Sequence, residues 1–177
     1  MSNFKSNLHK IKAFAFDVDG VFTDGLVLAT ETGDLLRSHN AKDGFAVRIA
    51  VLKNYPVAII TGGSSQSIKK RFLQVGIREE DIYLRSLNKM PDFNDFCTRY
   101  GLKHDEVLYM GDDIPDIEVL KSCGIATCPG DAVNEVKEVC HYISLYPGGK
   151  GSVRDVIEQT LKVQNKWSFD QEIYSGL

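Results

Sequence analysis

The chain has 177 residues, of which 43% are hydrophobic and 25% are charged, and its formal net charge is −3 at pH 7. This length fits one ordinary domain that buries about two-thirds of its unfolded surface. The hydrophobic fraction excludes a disordered chain, and the short apolar runs exclude a membrane-spanning helix. The 21 basic residues form no stripe beside the 24 acidic ones, which excludes a nucleic-acid partner.

The cysteines and the N-terminal segment indicate the compartment. The four cysteines form no C-x-x-C pair and have no histidine at zinc-ligand spacing, so we expect free thiols. The N-terminal segment has no apolar signal-peptide core, because charge interrupts it at Asp17 and Asp19. We therefore expect a cytoplasmic protein.

Short apolar runs alternate with amphipathic stretches along the chain. Strands are predicted at Ile11–Phe16, Val57–Ile60, Val107–Met110 and Ile125–Thr127, and helices around Phe45, Ile49 and Leu52, around Ile68, Phe72 and Val75, and around Phe93, Phe96, Cys97 and Tyr100. Such alternation is typical of a parallel sheet covered on both faces. We expect a single Rossmann-like α/β domain over residues 1–177, with ligands bound beyond the carboxyl ends of the strands.

One segment after the first strand breaks this alternation. Residues 25–38 are predicted to form a β-hairpin of two short strands around the polar turn Glu31–Asp34. The segment is too short to be a domain. Its tip could close over a site or contact another subunit.

Acidic residues follow two of the predicted strands. Asp17 and Asp19 form a D-x-D-G motif with Gly20 directly after the first strand. Gly111 begins a G-D-D-x-x-D motif after the third strand, with aspartates at 112, 113 and 116. An acidic turn or a helix cap explains one aspartate but not the whole set. Clustered carboxylates repel one another unless a cation lies between them, so the two motifs predict halves of one Mg²⁺ site.

Two further segments favour phosphate binding. Thr61 and Gly62 open a small polar loop between a strand and a helix, where hydroxyl and backbone N–H groups can hold a phosphate. Lys89 lies at the predicted start of the helix around Phe93, where a cation is unfavourable unless it faces an anion. An N-cap and a solvated surface lysine are the respective alternatives.

The ordered set of Asp17, Thr61, Lys89 and the motif from Gly111 resembles the four motifs of the haloacid dehalogenase superfamily. More closely, the chain resembles the capless 3-deoxy-D-manno-octulosonate 8-phosphate phosphatase group. In that group the D-V-D-G-V-x-T-D-G opening, the hairpin, a K/R-D-G stretch and a late G-G-x-G-x-x-R motif recur. Here the last two are Lys42–Gly44 and Gly148–Arg154.

The resemblance implies a Mg²⁺-dependent phosphatase of a sugar-acid phosphate. Asp17 would be the nucleophile that forms an aspartyl-phosphate, and Asp19 would be the general acid and base. Asp17, the backbone carbonyl of Asp19 and Asp112 would hold Mg²⁺, with Asp113 and Asp116 supporting these ligands. The transferring phosphoryl group would be bound by Thr61, Gly62 and Lys89.

One position departs from the pattern of this group. Its members carry an arginine directly after the Thr-Gly pair, where it meets the sugar-acid carboxylate, but this chain has Gly63. Arg71 matches another arginine of the group and is a candidate for substrate binding, with a solvated helix residue as the alternative. Two alternative functions remain. One is a phosphatase of the nine-carbon ketodeoxynononate 9-phosphate, and the other is a non-catalytic binding protein of the same fold.

The resemblance also implies how the site is covered. No insert large enough for a cap domain lies between the motifs. In the resembling group a homotetramer closes each site with a neighbour's hairpin and C-terminal tail. The tail here, residues 165–177, carries Trp167, Phe169, Ile173, Tyr174 and Leu177. Packing of this tail on its own domain is the alternative.

Overall fold

The structure is a computed structural model that describes residues 4–169. The strands are β1 (Ala13–Phe16), β2 (Leu28–Ala29), β3 (Leu35–Leu36), β4 (Val57–Ile60), β5 (Ile82–Tyr83), β6 (Val107–Met110), β7 (Ile125–Cys128) and β8 (Tyr142–Ile143). The α-helices are α1 (Ala41–Leu52), α2 (Gln66–Gln74), α3 (Lys89–Tyr100), α4 (Ile117–Ser122), α5 (Asn134–Val139) and α6 (Ser152–Val163).

A parallel sheet of six strands in the order β5-β4-β1-β6-β7-β8 forms the centre of the molecule. The predicted α/β fold and the predicted apolar strands are therefore confirmed. The edge strands β5 and β8 were not predicted, because two residues are too few to show a period. No helix of the described residues is both long and apolar enough to cross a bilayer.

Both faces of the sheet are buried, and β1 shows how its side chains divide. Phe14 and Phe16 pack into one hydrophobic cluster, which also contains residues of α1, α2 and α6. Ala13 and Ala15 point to the other face, into a cluster with residues of α3, α4 and α5. Strand residues alternate between faces, so a continuous apolar run of this kind belongs to a strand covered on both sides.

The predicted hairpin is present as β2 and β3, which pair only with each other and form a separate two-stranded sheet. Leu26, Leu28, Leu35 and Leu36 on it are exposed. Apolar side chains are therefore presented to solvent at the mouth of the main sheet.

The described part of the C-terminal tail packs on its own domain. Trp167 contacts the hydrophobic cluster beside α1 and α6, and the Arg154 guanidinium lies 5.6 Å from the centre of its ring. The Phe169 ring lies 6.1 Å from that of Phe45 on α1. This is the alternative arrangement for Trp167 and Phe169. Ile173, Tyr174 and Leu177 lie outside the described residues.

The strand register brings the sequence motifs to one edge of the sheet. Phe16 is level with Ile59 on β4 and with Met110 on β6. The residues that follow these strands therefore meet at the carboxyl edge, where open parallel sheets bind their ligands.

Candidate active site

A cavity of about 360 Å³ opens at the carboxyl ends of β1, β4 and β6. Most of the predicted site residues line it: Asp17, Asp19, Thr61, Gly62, Lys89, Asp112, Asp113 and Asp116. Loops after three separate strands and the first residue of α3 supply these side chains. The structure thus brings together residues that are up to 99 positions apart in the chain.

Three carboxylates and one ammonium group form the floor of the cavity. Carboxylate oxygens of Asp17, Asp112 and Asp116 lie within 4.8 Å of one another. The Lys89 ammonium lies 2.9 Å from Asp17 Oδ2 and 2.6 Å from Asp116 Oδ1. We call these four residues the strand-end cluster. Its lysine compensates only one of three carboxylates, so two negative charges are left uncompensated when all three are ionised.

The protonation equilibria of the cluster reflect this excess of negative charge. Burial, followed by the charges of Asp17 and Asp116, raises the pKa of Asp112 to about 8. Burial, followed by the charge of Asp116, raises the pKa of Asp17 to about 6 in spite of Lys89. Burial opposes the charged form of Lys89, but the two carboxylates outweigh it and raise its pKa. The carboxylates are therefore held in an environment that favours a proton or a cation.

The glycines of the two acidic motifs make room for the carboxylates. A Cβ at Gly20, whose φ is +80°, would lie 2.0 Å from Asp112 Oδ2. A Cβ at Gly111 would lie 2.2 Å from Asp116 Cγ. Any side chain at either position would displace an aspartate. The glycine of each motif therefore leaves the space that an aspartate needs: Gly20 for Asp112 and Gly111 for Asp116.

Asp116 and Asp113 support the site in different ways. Asp116 accepts hydrogen bonds from Lys89 Nζ, the Tyr109 hydroxyl and the backbone N–H groups of Asp112 and Asp113. Its two oxygens are fully engaged, so it positions the cluster and is poorly placed to ligate a metal. Asp113 is exposed and caps the next turn through the backbone N–H of Ile114.

The carboxylate oxygens of Asp17 and Asp112 are suitable ligands for Mg²⁺. Asp112 Oδ1 is buried and has no hydrogen-bond partner among the described residues. Asp17 lies beside it, and a divalent cation would balance the two uncompensated charges of the strand-end cluster. Hard carboxylate oxygens are the ligands that Mg²⁺ prefers, so the residues present suit this ion.

Thr61 and the loop after β4 form another part of the cavity wall. Thr61 is buried, and its Oγ1 accepts a hydrogen bond from the backbone N–H of Gly63 at 3.1 Å. Ser86 N–H donates to the Thr61 carbonyl at 2.9 Å. The first bond orients the hydroxyl and the second fixes the backbone of Thr61, which lines the cavity beside Gly62.

Asp19 has a partner that sequence reasoning missed. Arg37, which directly follows β3, donates from Nε to Asp19 Oδ1 at 2.6 Å and from Nη2 to Asp19 Oδ2 at 3.0 Å. This paired geometry is the strongest arrangement of arginine on a carboxylate. The hairpin was predicted as a cover, but no sequence signal indicated which of its residues faces the site.

Arg71 does not line this cavity, so its contact with substrate stays a prediction. Its guanidinium is directed at α1, with Nη2 only 2.3 Å from the point that a Cβ on Gly44 would occupy. It lines a separate surface cavity with Phe45 and Arg48.

The K-D-G and G-G-x-G-x-x-R motifs brace the loop that carries Asp17 and Asp19. Asp43 is buried and accepts hydrogen bonds from the backbone N–H groups of Gly151 and Arg154, at 3.1 and 2.8 Å. A Cβ at Gly148 would lie 1.9 Å from the Gly20 carbonyl oxygen. The late glycine-rich segment is therefore packed directly against the D-x-D-G loop.

Comparison with known proteins agrees with this architecture. Residues 64–157 match the family model of haloacid dehalogenase-like hydrolases. The 3-deoxy-D-manno-octulosonate 8-phosphate phosphatase KdsC of Salmonella typhi is 33% identical over 156 residues, which are 88% of this chain and 82% of that protein.

Solved structures are also similar. The 3-deoxy-D-manno-octulosonate 8-phosphate phosphatase of Yersinia pestis superposes with a TM-score of 0.90 at 28% identity, covering 93% of this chain and 88% of that one. The Moraxella catarrhalis phosphatase of the same name, in complex with magnesium, phosphate and KDO, gives 0.89 at 29% identity and covers 100% and 99%. Sequence and structure therefore agree that this chain belongs to the haloacid dehalogenase-like hydrolase family.

Proposed function

We propose that this protein is a Mg²⁺-dependent phosphatase that hydrolyses 3-deoxy-D-manno-octulosonate 8-phosphate to the free sugar acid and phosphate. The strand-end cluster carries the proposal, because it combines a buried carboxylate, a lysine and an unpartnered Asp112 oxygen in one cavity. The similarity to phosphatases of that name supports the choice of substrate.

In the proposed reaction, a carboxylate oxygen of Asp17 attacks phosphorus and the ester P–O bond breaks, which leaves an aspartyl-phosphate. Asp19 donates a proton to the departing alkoxide. It then takes a proton from the water that attacks phosphorus, and this second attack releases phosphate and restores Asp17.

The other residues bind and orient the phosphoryl group. Lys89 Nζ, already 2.9 Å from Asp17, would neutralise a phosphoryl oxygen, and Thr61 and Gly62 would donate hydrogen bonds to the same group from the cavity wall. Mg²⁺ held by Asp17, Asp112 and the Asp19 carbonyl would lessen repulsion between the carboxylates and the anionic substrate. Asp116 would keep Lys89 and the 112–113 backbone in place.

A substrate panel tests this function. We expect the highest kcat/KM for the eight-carbon sugar-acid phosphate, a lower value for ketodeoxynononate 9-phosphate, and the lowest for glucose 6-phosphate, with activity lost in EDTA. Preference for the nine-carbon acid would transfer the assignment to that substrate. No phosphate release from any ester, with the protein folded and Mg²⁺ present, would favour a non-catalytic binding protein.

We further propose a homotetramer in which the hairpin contacts a second copy of the chain. Leu26, Leu28, Leu35 and Leu36 are exposed apolar side chains on the hairpin, and exposed apolar surface marks interaction sites. Light scattering at micromolar concentration should give four times the monomer mass, and Leu28→Glu with Leu36→Glu should lower it. A monomeric wild type would contradict this assembly.

A further inference from the structure

Arg37 faces two cavities at once. The active-site cavity and a second cavity of about 590 Å³ under the hairpin share Gly62 and Gly63 in their walls. Arg37 lines the second cavity, and its guanidinium reaches Asp19 in the first. A substrate with its phosphate at the strand-end cluster therefore has a path over Gly62 and Gly63 that passes this arginine.

Gly63 leaves space beside the guanidinium on that path. Arg37 Nη2 lies 3.8 Å from the point where a Cβ at position 63 would be, and the end of Ile68 lies 2.8 Å from the same point. A larger residue at position 63 would compete with both for this space. With glycine there, the edge of the guanidinium forms part of the cavity wall.

Arg37 also keeps hydrogen-bonding capacity. Nε and Nη2 donate to Asp19, and Nη1 donates to the Leu35 carbonyl at 3.2 Å. These bonds use three of the five N–H groups of an arginine, so two remain for a ligand. The side chain is 6% exposed, so it is held in place before any ligand arrives.

We propose that Arg37 is the specificity residue that binds a carboxylate of the substrate, on the side of the cavity away from the strand-end cluster. This inference rests on the proposed function and names the group that distinguishes a sugar-acid phosphate from a neutral sugar phosphate. A guanidinium suits this task because it is planar, permanently charged and able to pair with two carboxylates.

The test uses octulosonate 8-phosphate and its analogue with the carboxylate reduced to an alcohol. For each, kcat/KM is measured with the wild type, Arg37→Gln, Arg37→Lys, Arg71→Gln and Arg78→Gln. Arg78 is an exposed arginine at the amino end of β5, so its variant is the matched control.

We expect Arg37→Gln to reduce the preference for the acid over the alcohol by about tenfold to a hundredfold, the range of a charge-assisted hydrogen-bonded pair. Arg37→Lys should retain part of the preference, and Arg78→Gln should retain it all. An equal fall for both substrates in Arg37→Gln would mean that Arg37 only positions Asp19, and would overturn the proposal. A loss of preference in Arg71→Gln instead would also overturn it.

Binding to the Asp17→Asn protein separates this inference from the proposed function. Calorimetry should show that adding Arg37→Gln weakens binding of the acid by about tenfold or more while binding of the alcohol changes little. If this result is obtained but the wild type shows no turnover, the proposed phosphatase function is rejected and Arg37 is kept as the residue that binds the carboxylate. Turnover by the wild type, with binding of both ligands weakened equally by Arg37→Gln, would keep the phosphatase and reject the role of Arg37.

Discussion

The strand-end cluster and the hairpin line the same region but are held in different ways. The cluster is mostly buried, and hydrogen bonds tie Asp17, Lys89 and Asp116 to one another or to the backbone. The hairpin is exposed, and the hydrogen bonds of its tip stay between residues 30 and 34. Its link to the catalytic edge is the pair between Arg37 and Asp19.

From this difference we expect the strand-end cluster to serve the reaction and the hairpin to serve the choice of substrate. A reaction at phosphorus needs charges that are already oriented, and a buried, braced sheet edge provides them. Recognition of the rest of a substrate depends on what lies above that edge, and a short hairpin can present different side chains there without altering the core. Changes in the cluster should therefore affect the reaction and stability, whereas changes in the hairpin should affect substrate choice.

The largest effect should come from Asp17→Asn. Loss of the proposed nucleophile should lower phosphate release from octulosonate 8-phosphate by at least about a thousandfold. The matched control is Asp24→Asn, a half-buried aspartate on the same loop, whose activity should stay within about twofold of the wild type. Steady-state phosphate release decides the matter, and a wild-type rate in Asp17→Asn would contradict the mechanism.

Lys89→Met should strongly destabilise the fold. It removes the ammonium from two buried carboxylates, and breaking a buried ion pair costs about 3–5 kcal/mol in the free energy of unfolding. Lys69→Met removes a cation from the exposed pair with Glu79 and should cost less than about 1 kcal/mol. Urea unfolding of both metal-free variants at pH 8 measures the difference. Equal losses would show that the cluster is no more sensitive than the surface.

Gly20→Ala and Gly33→Ala compare the two regions directly. Both glycines have a positive φ, so each substitution should cost about 1–2 kcal/mol of stability. At Gly33, in the hairpin turn, nothing lies within 4 Å of the new Cβ, whereas at Gly20 Asp112 Oδ2 lies 2.0 Å away. Only Gly20→Ala should therefore weaken Mg²⁺ activation, by about tenfold or more. Equal Mg²⁺ dependence of activity in both variants would contradict the predicted role of Asp112.

The cluster should also make stability depend on pH. The pKa of Asp112 is raised from 3.8 to about 8 by burial and its neighbours, so between these values the folded state binds a proton that the unfolded state has released. The metal-free protein should therefore lose stability as pH rises across this window, by up to about 1.4 kcal/mol per pH unit from this group.

Asp112→Asn isolates that contribution. The difference in unfolding free energy between the wild type and this variant, followed in EDTA from pH 5 to pH 8, should change with the predicted sign. Mg²⁺ binds the ionised carboxylate, so it should stabilise the wild type more at pH 8 than at pH 5. A difference that does not vary with pH would contradict the raised pKa.

Much of the fold and of the catalytic edge follows from local sequence. Apolar runs that end in Asp17, Thr61 and Gly111 predict parallel strands and place these residues at one edge, because carboxyl ends of parallel strands align. Lys89 was predicted to face an anion, and it is paired with two aspartates. Short edge strands were not predictable, because two residues show no period, and the contact of Arg71 with α1 depends on how two helices pack.

The sequence by itself determined the α/β fold, the two acidic motifs and the family, since these depend on residue type and on spacing along the chain. Tertiary structure decided the different surroundings of the carboxylates. Both oxygens of Asp116 accept hydrogen bonds, whereas Asp112 Oδ1 has no partner among the described residues. It also decided that Arg37 pairs with Asp19 across 18 residues of chain. Such a pairing depends on the position of the hairpin relative to the sheet, which the periodicity of the sequence does not predict.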